Sequence, residues 1–180
     1  MRTLVVFESM YGNTHDIAEA VADGLRVTGE ASVLPVREAG SASLVGLDLL
    51  VVGGPTHAWG MTRTRTREQA ISDGRRMGMR VEGRRGDIGL REWLDALPAS
   101  GLLSVAFDTR IKAPSVLSGR ASRGITRELR RQEQLVLAPA ISFFVTRKNT
   151  LYAGEVERAR RWGRALAEEA ARHSGRSVIL

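Results

Sequence analysis

Five short apolar runs, each bounded by turn residues, alternate along this chain with segments of helical period, and this alternation limits the fold more than any other feature. The runs are Thr3–Phe7, Ser32–Val36, Leu47–Val52, Leu102–Phe107 and Ala140–Val145. A strand with one face in water alternates apolar and polar residues. A run that is nearly apolar throughout is covered on both faces, as the strands of a parallel sheet are. Ile17, Val21 and Leu25 recur at spacing four, and so do Leu117, Ala121, Ile125 and Leu129. Glu155–Arg172 carries Val156, Ala159, Gly163, Leu166 and Ala170 at helical spacing, and Leu90–Leu97 is a shorter helical pattern. Strand, helix and strand in repetition predict an α/β fold with helices on both faces of a parallel sheet.

One connection is longer than this scheme needs. Between Gly53 and Leu102 a helix and two short loops would suffice, yet the chain spends nearly fifty residues there. The excess is an insertion at Met61–Gly89, rich in arginine and glycine. Within it Thr64–Ser72 reads as a short helix and Gly74–Gly89 as mobile. Residues 1–180 are expected to form one domain with this insertion, since 180 residues suffice for one substantial core and are too few for two full domains.

Zero cysteines exclude a disulfide scaffold, a thiolate nucleophile, a zinc ribbon and a cysteine-ligated iron–sulfur cluster. No apolar run approaches the ~18 residues of a membrane span, and Met1–Phe7 is too short for a secretory core. A soluble, cytoplasmic protein without a membrane span is expected. The net charge of +7 comes from 27 basic and 20 acidic side chains, and it is uneven: residues 1–61 carry −4, residues 62–91 +5 and residues 92–180 +6. Such asymmetry suits a surface for nucleic acid or for an anionic partner such as an acidic protein, and arginine-rich composition also produces it without any ligand. Nucleic-acid binding is not expected.

In an open parallel sheet ligands bind beyond the carboxyl ends of the strands. The first run is followed by Ser9-Met10-Tyr11-Gly12-Asn13-Thr14, which opens directly into a helix. Hydroxyls at Ser9 and Thr14, with free amides around Gly12 and Asn13 at a helix N-terminus, are what a phosphate needs. A plain helix cap explains the same residues. The third run is followed by Gly53-Gly54-Pro55-Thr56-His57-Ala58-Trp59-Gly60, in which a tryptophan beside a glycine in a loop is poorly explained by core packing. The fourth is followed by Asp108-Thr109-Arg110, which suits either ligand contacts or a turn held by Asp108. A Walker A loop and a three-glycine dinucleotide fingerprint are both missing. His15 and His173 lack partners at metal-ligand spacing, so no metal is expected, and no nucleophile elbow supports hydrolysis.

The three loops together resemble the flavodoxin-like family, and Ser9-Met10-Tyr11-Gly12 is similar to the first loop of its quinone-reductase relatives. The resemblance implies a three-layer fold around a five-stranded parallel sheet of order 2-1-3-4-5, with FMN bound noncovalently. It implies that Ser9–Thr14 hold the FMN phosphate, although Tyr11 stands where a threonine is usual. Pro55–Gly60 would line the isoalloxazine with Trp59 stacked on it. Asp108 and Thr109 would meet the pyrimidine edge, and Arg110 the phosphate or the ring. Glu8, unexpected beside a phosphate, would point away or accept backbone amides.

The implied function is redox: electron transfer to a partner protein, or NAD(P)H-linked reduction through the flavin, with carrier and enzyme both open and the catalytic residues not identified. The alternative is a flavodoxin-fold docking module without flavin chemistry. Met61–Gly89 would cover the flavin or build a homo-oligomer interface. Arginines from Arg63 to Arg67, with Arg110, would favour flavin reduction relative to acidic carriers. Arg120, Arg123, Arg127 and Arg130 or Arg131 form one basic helix face, read as solvated or as a docking face for an acidic partner or a pyridine-nucleotide phosphate.

Overall fold

A computed structural model describes residues 1–57, 60–84, 86–114 and 119–176. The elements follow in the order β1 (Arg2–Phe7), α1 (Asn13–Leu25), β2 (Glu30–Pro35), β3 (Leu49–Pro55), α2 (Thr64–Arg76), α3 (Leu90–Asp95), β4 (Leu103–Ile111), α4 (Ala121–Arg131), β5 (Leu135–Val136), β6 (Ile141–Val145) and α5 (Glu155–Arg176). All strand pairings are parallel, and the sheet order is β2-β1-β3-β4-β5, with β6 also paired to β4.

The fifth sheet position is one strand in two pieces, where a single continuous strand was expected. β5 pairs with Leu103 and Ser104, and β6 pairs with Phe107–Ile111 further along the same edge. Between them the chain bends at Ala138 and Pro139 has no N–H to give the ladder.

The apolar runs are continuous because both faces of the sheet are covered. Val5, Phe7, Val51, Val105, Phe107 and Phe143 face α1 and α5, while Leu4, Val6, Leu50, Val52 and Ala106 face α3 and α4. Full burial of each such side chain stabilises the fold by about 1.5–3 kcal/mol. Phe107, Phe143 and Trp162 form an edge-to-face trio with centroids 6.0–6.2 Å apart, so Trp162 belongs to the core. α1 and α5 approach at Gly24 and Gly163, where a Cβ on Gly24 would lie 2.1 Å from the Arg160 carbonyl oxygen. Any larger residue there would push the helices apart.

α2 runs to Arg76, longer than the expected Thr64–Ser72, because Ala70, Ile71 and Gly74 continue its buried stripe. Beyond it the chain is irregular but tied down, with the Glu82 N–H donating to the Met10 carbonyl at 2.9 Å. Leu117 lies outside the described residues. No helix among those described is long and apolar enough to cross a membrane.

Candidate functional site

The carboxyl ends of β1, β3, β4 and β6 converge on a cleft of about 440 Å³. Its first wall is the β1–α1 loop. Gly12 there adopts φ 94°, a left-handed conformation that permits the sharp entry into α1. The Gly12 N–H donates to Ser9 Oγ at 3.0 Å, and Thr14 Oγ1 lies 2.7 Å from Thr109 Oγ1, which ties this loop to β4. Asn13 Nδ2 donates to the carbonyl and the Oδ1 of Asn149, both at 3.0 Å, and so spans the cleft to the loop after β6.

Ser9, Met10, Tyr11, Asn13, Thr14, Pro55, Thr56, His57, Thr109 and Arg110 all line this cleft. The structure therefore brings together the three loops singled out in the sequence. Several of their side chains have other tasks. The Tyr11 hydroxyl donates to the Ala70 carbonyl at 3.0 Å and its ring packs on Gly74, so it anchors α2 rather than replacing a phosphate-binding threonine. Burial, with the nearby Asp73 carboxylate, pushes the Tyr11 pKa up.

Asp108 and Thr56 cap a helix. α4 begins without a cap of its own. The Ala121 N–H donates to Thr56 Oγ1 at 2.9 Å, and the Ser122 N–H donates to Asp108 Oδ2 at 2.7 Å. Asp108 is fully buried. This differs from a ligand-facing loop because β4 runs on to Ile111, and strand alternation turns residue 108 toward α4. Arg110 is also mostly buried; it stacks 5.0 Å from the Phe144 ring centroid and donates to the Ala113 carbonyl at 2.7 Å. His57 and Gly60 close a tight reversal by mutual backbone hydrogen bonds of 2.9 and 3.2 Å. Ala58 and Trp59 lie outside the described residues.

Three contributions to the region went unread in the sequence. Met77 and Met79 of the insertion line the cleft, and so does the Val145–Asn149 loop with Arg147 and Lys148. That loop could have been found by extending the strand-end rule to the last strand. The third is Arg80, whose guanidinium lies 3.2–3.3 Å from where a Gly12 Cβ would stand. It pairs with Glu82, whose Oε1 is also 3.0 Å from His15 Nδ1. Burial pushes the Glu82 carboxyl up, but hydrogen bonds from His15 and Ser9 and the charges of His15 and Arg80 outweigh it and hold it below the usual range. Arg63, Arg65 and Arg67 sit on or beside α2, away from the cleft lining, and Arg67 pairs with Glu92 at 3.2 Å.

Glu8 behaves as the sequence suggested. Its carboxylate accepts hydrogen bonds from the Thr62 hydroxyl and, at 2.7 Å, from the Leu90 N–H at the start of α3. Burial raises its pKa, against the lowering effects of those two bonds and of Arg67.

A sequence profile of the Flavodoxin family matches residues 5–78. A flavodoxin from the domain Archaea superposes at a TM-score of 0.66 with 19% identity, covering 95% of this chain and 99% of that one. Flavodoxin 1 from Bacillus cereus gives 0.64 and 19%, covering 96% and 99%. A flavodoxin, WrbA-like protein from Agrobacterium tumefaciens gives 0.61 and 21%, covering 96% and 98%. No curated protein matches the chain significantly in sequence. At these identities the superpositions speak for the fold, and the profile adds the first strand, the first loop and the helix after it. With its 2-1-3-4-5 sheet and a cleft at the strand ends, this chain has the flavodoxin-like fold, and its residues 5–78 resemble the Flavodoxin family in sequence.

Proposed function

We propose that the chain binds FMN in the 440 Å³ cleft and acts as an electron-transfer flavoprotein. FMN is the cofactor of flavodoxins, and the residues present suit it. The observation that carries the reading is the charge of the cleft: its described lining contains no carboxylate and does contain Arg110, Arg147 and Lys148. An anionic ligand is favoured there, and Arg80 adds a further cation beside Gly12.

Bound FMN would supply one- or two-electron transfer through its isoalloxazine. Ser9, Asn13 and Thr14, with the amides at the start of α1, would hold the phosphate, and Arg80 would give it a charge-assisted partner. Met77 and Met79 would form an apolar side of the pocket, the role of a cover expected for the insertion. Trp59 would stack on the ring. With basic rather than acidic groups at the cleft, we favour a protein reduced by NAD(P)H over a low-potential carrier.

The test is the absorption spectrum of the purified protein, before and after mixing with FMN and with riboflavin. A flavin spectrum and tighter binding of FMN than of riboflavin are expected. Equal affinity for the two removes the phosphate assignment, and no binding of either removes the flavin reading.

A further inference from the structure

We propose that the groove between α4 and the break in the fifth strand is a second anion site, taking a small molecule with one or two phosphoryl groups. The groove measures about 540 Å³. Arg120, Ser122, Arg123, Thr126 and Arg130 form one wall, and residues 136–140 form the other. Its described lining holds no carboxylate. Glu128 pairs with Arg127 and Arg131, while Arg120, Arg123 and Arg130 have no ion-pair partner among the described residues. Arg120 is positioned instead by donating to Ser142 Oγ at 3.2 Å.

A second observation points to a ligand. Ser122 is 1% exposed and lines this groove, yet its Oγ has no hydrogen-bond partner. A buried hydroxyl left unpaired destabilises a fold unless something outside the chain pairs with it. Thr56 and Asp108 already take the amides of Ala121 and Ser122, so the groove binds through side chains rather than through the end of the helix.

Guanidinium forks match phosphoryl oxygens, and the groove uses arginine throughout. A phosphoryl group offers three acceptor oxygens pointing in different directions, enough to meet Arg120, Arg123 and the recessed Ser122 hydroxyl together. A carboxylate offers two in one plane. Arg130, about two turns along α4, is placed for a second phosphoryl group. Arg110 connects the two sites: it lines the cofactor cleft, burial lowers its pKa against the effect of Asp108, and Arg120 and Arg123 lower it further. An anion in the groove would relieve that repulsion.

The proposal does not depend on flavin binding. It is tested by titrating the full chain with pyrophosphate and with inorganic phosphate while following the backbone amide resonances of residues 121–125. Saturable shifts are expected, weakened about tenfold or more in Arg120→Ala/Arg123→Ala. Ser122→Ala should weaken binding several-fold while its urea midpoint stays level or rises, since only an unpaired hydroxyl is lost. Ser9→Ala/Thr14→Ala should leave these shifts intact. Absent shifts, shifts that survive the double arginine replacement, or unchanged binding in Ser122→Ala overturn the proposal. So does saturation by a polyglutamate peptide where pyrophosphate has no effect, which would mark a protein-docking face.

Discussion

Two clefts flank the first loop and share Ser9 and Met10, yet their linings carry charge differently. The 440 Å³ cleft has cations and no carboxylate in its described lining. The other, of about 340 Å³, brings Glu8, Glu38, Glu82 and Asp87 together with Arg37, Arg67 and Arg84. Charges in the second are balanced within the chain, and its carboxylates fasten the insertion: Glu8 holds Leu90 and Thr62, and Asp87 Oδ2 accepts from the Arg84 N–H at 2.9 Å. The first places Arg110, Arg147 and Lys148 in a described lining without a carboxylate. The two clefts are of similar size, and the charge of the lining distinguishes them more clearly.

The largest expected effect separates the two clefts by ligand. Ser9→Ala with Thr14→Ala should weaken FMN binding by roughly 3 kcal/mol, about a hundredfold, because bonds to a charged phosphate contribute ~1.5–3 kcal/mol each. Riboflavin affinity, measured by the same fluorescence titration, should change little; an equal loss for both ligands would break the assignment.

Glu8→Ala should act in the opposite sense, on stability rather than on ligand. It leaves the Leu90 N–H and the Thr62 hydroxyl without their acceptor, at a cost of about 2 kcal/mol in a urea titration, with only a small change in FMN affinity. Because the Glu8 pKa is raised in the folded state, the fold holds its proton longer than the unfolded chain does. Its contribution to stability is full below the ordinary carboxylate pKa and falls as pH rises through the raised value. Glu8→Gln should flatten that part of the stability profile, and an unaltered profile would show that Glu8 titrates normally.

Trp59→Ala is expected to lose about 1 kcal/mol of flavin affinity and much of the fluorescence quenching, the contribution of a stacked aromatic beyond its area. Unchanged affinity and quenching would put the stacking partner elsewhere.

The smallest effect concerns potential. A unit charge ~10 Å away acts with roughly 0.4 kcal/mol in water, about 20 mV for one electron, less after salt screening. Replacing Arg110, Arg147 and Lys148 by glutamine, one at a time, should each lower the flavin potential by up to that amount in a spectroelectrochemical titration. Replacing Arg37 or Arg84 in the balanced cleft should shift it less. Equal shifts from both clefts would erase the distinction between them.

Much of the fold was legible because its cause is local. Thr3–Phe7 and Leu47–Val52 are apolar throughout, and only a strand covered on both faces has reason to be. The strand-end rule then located Ser9–Thr14 and Pro55–Gly60, since Gly12 and the helix start that follows it are written in adjacent residues. Side-chain direction was less accessible. Asp108 looked like a loop residue because nothing in Phe107-Asp108-Thr109-Arg110 shows that β4 continues to Ile111; pairing with β6 extends it. The task of Tyr11, standing where a threonine is usual, was not legible because its partner, the Ala70 carbonyl, lies 59 residues away.

By itself the sequence determined the α/β class, the first loop and the position of the insertion, consequences of periodicity and of neighbours in the chain, while the strand order rested on the family resemblance that its loops carry. Tertiary structure alone decided that the insertion returns Arg80 and Glu82 to that loop, that Thr56 and Asp108 cap α4, and that Arg147 and Lys148 complete the cleft. Those contacts join residues tens of positions apart, and their partners are chosen by the packing of the sheet and helices rather than by any local pattern that periodicity or spacing can report.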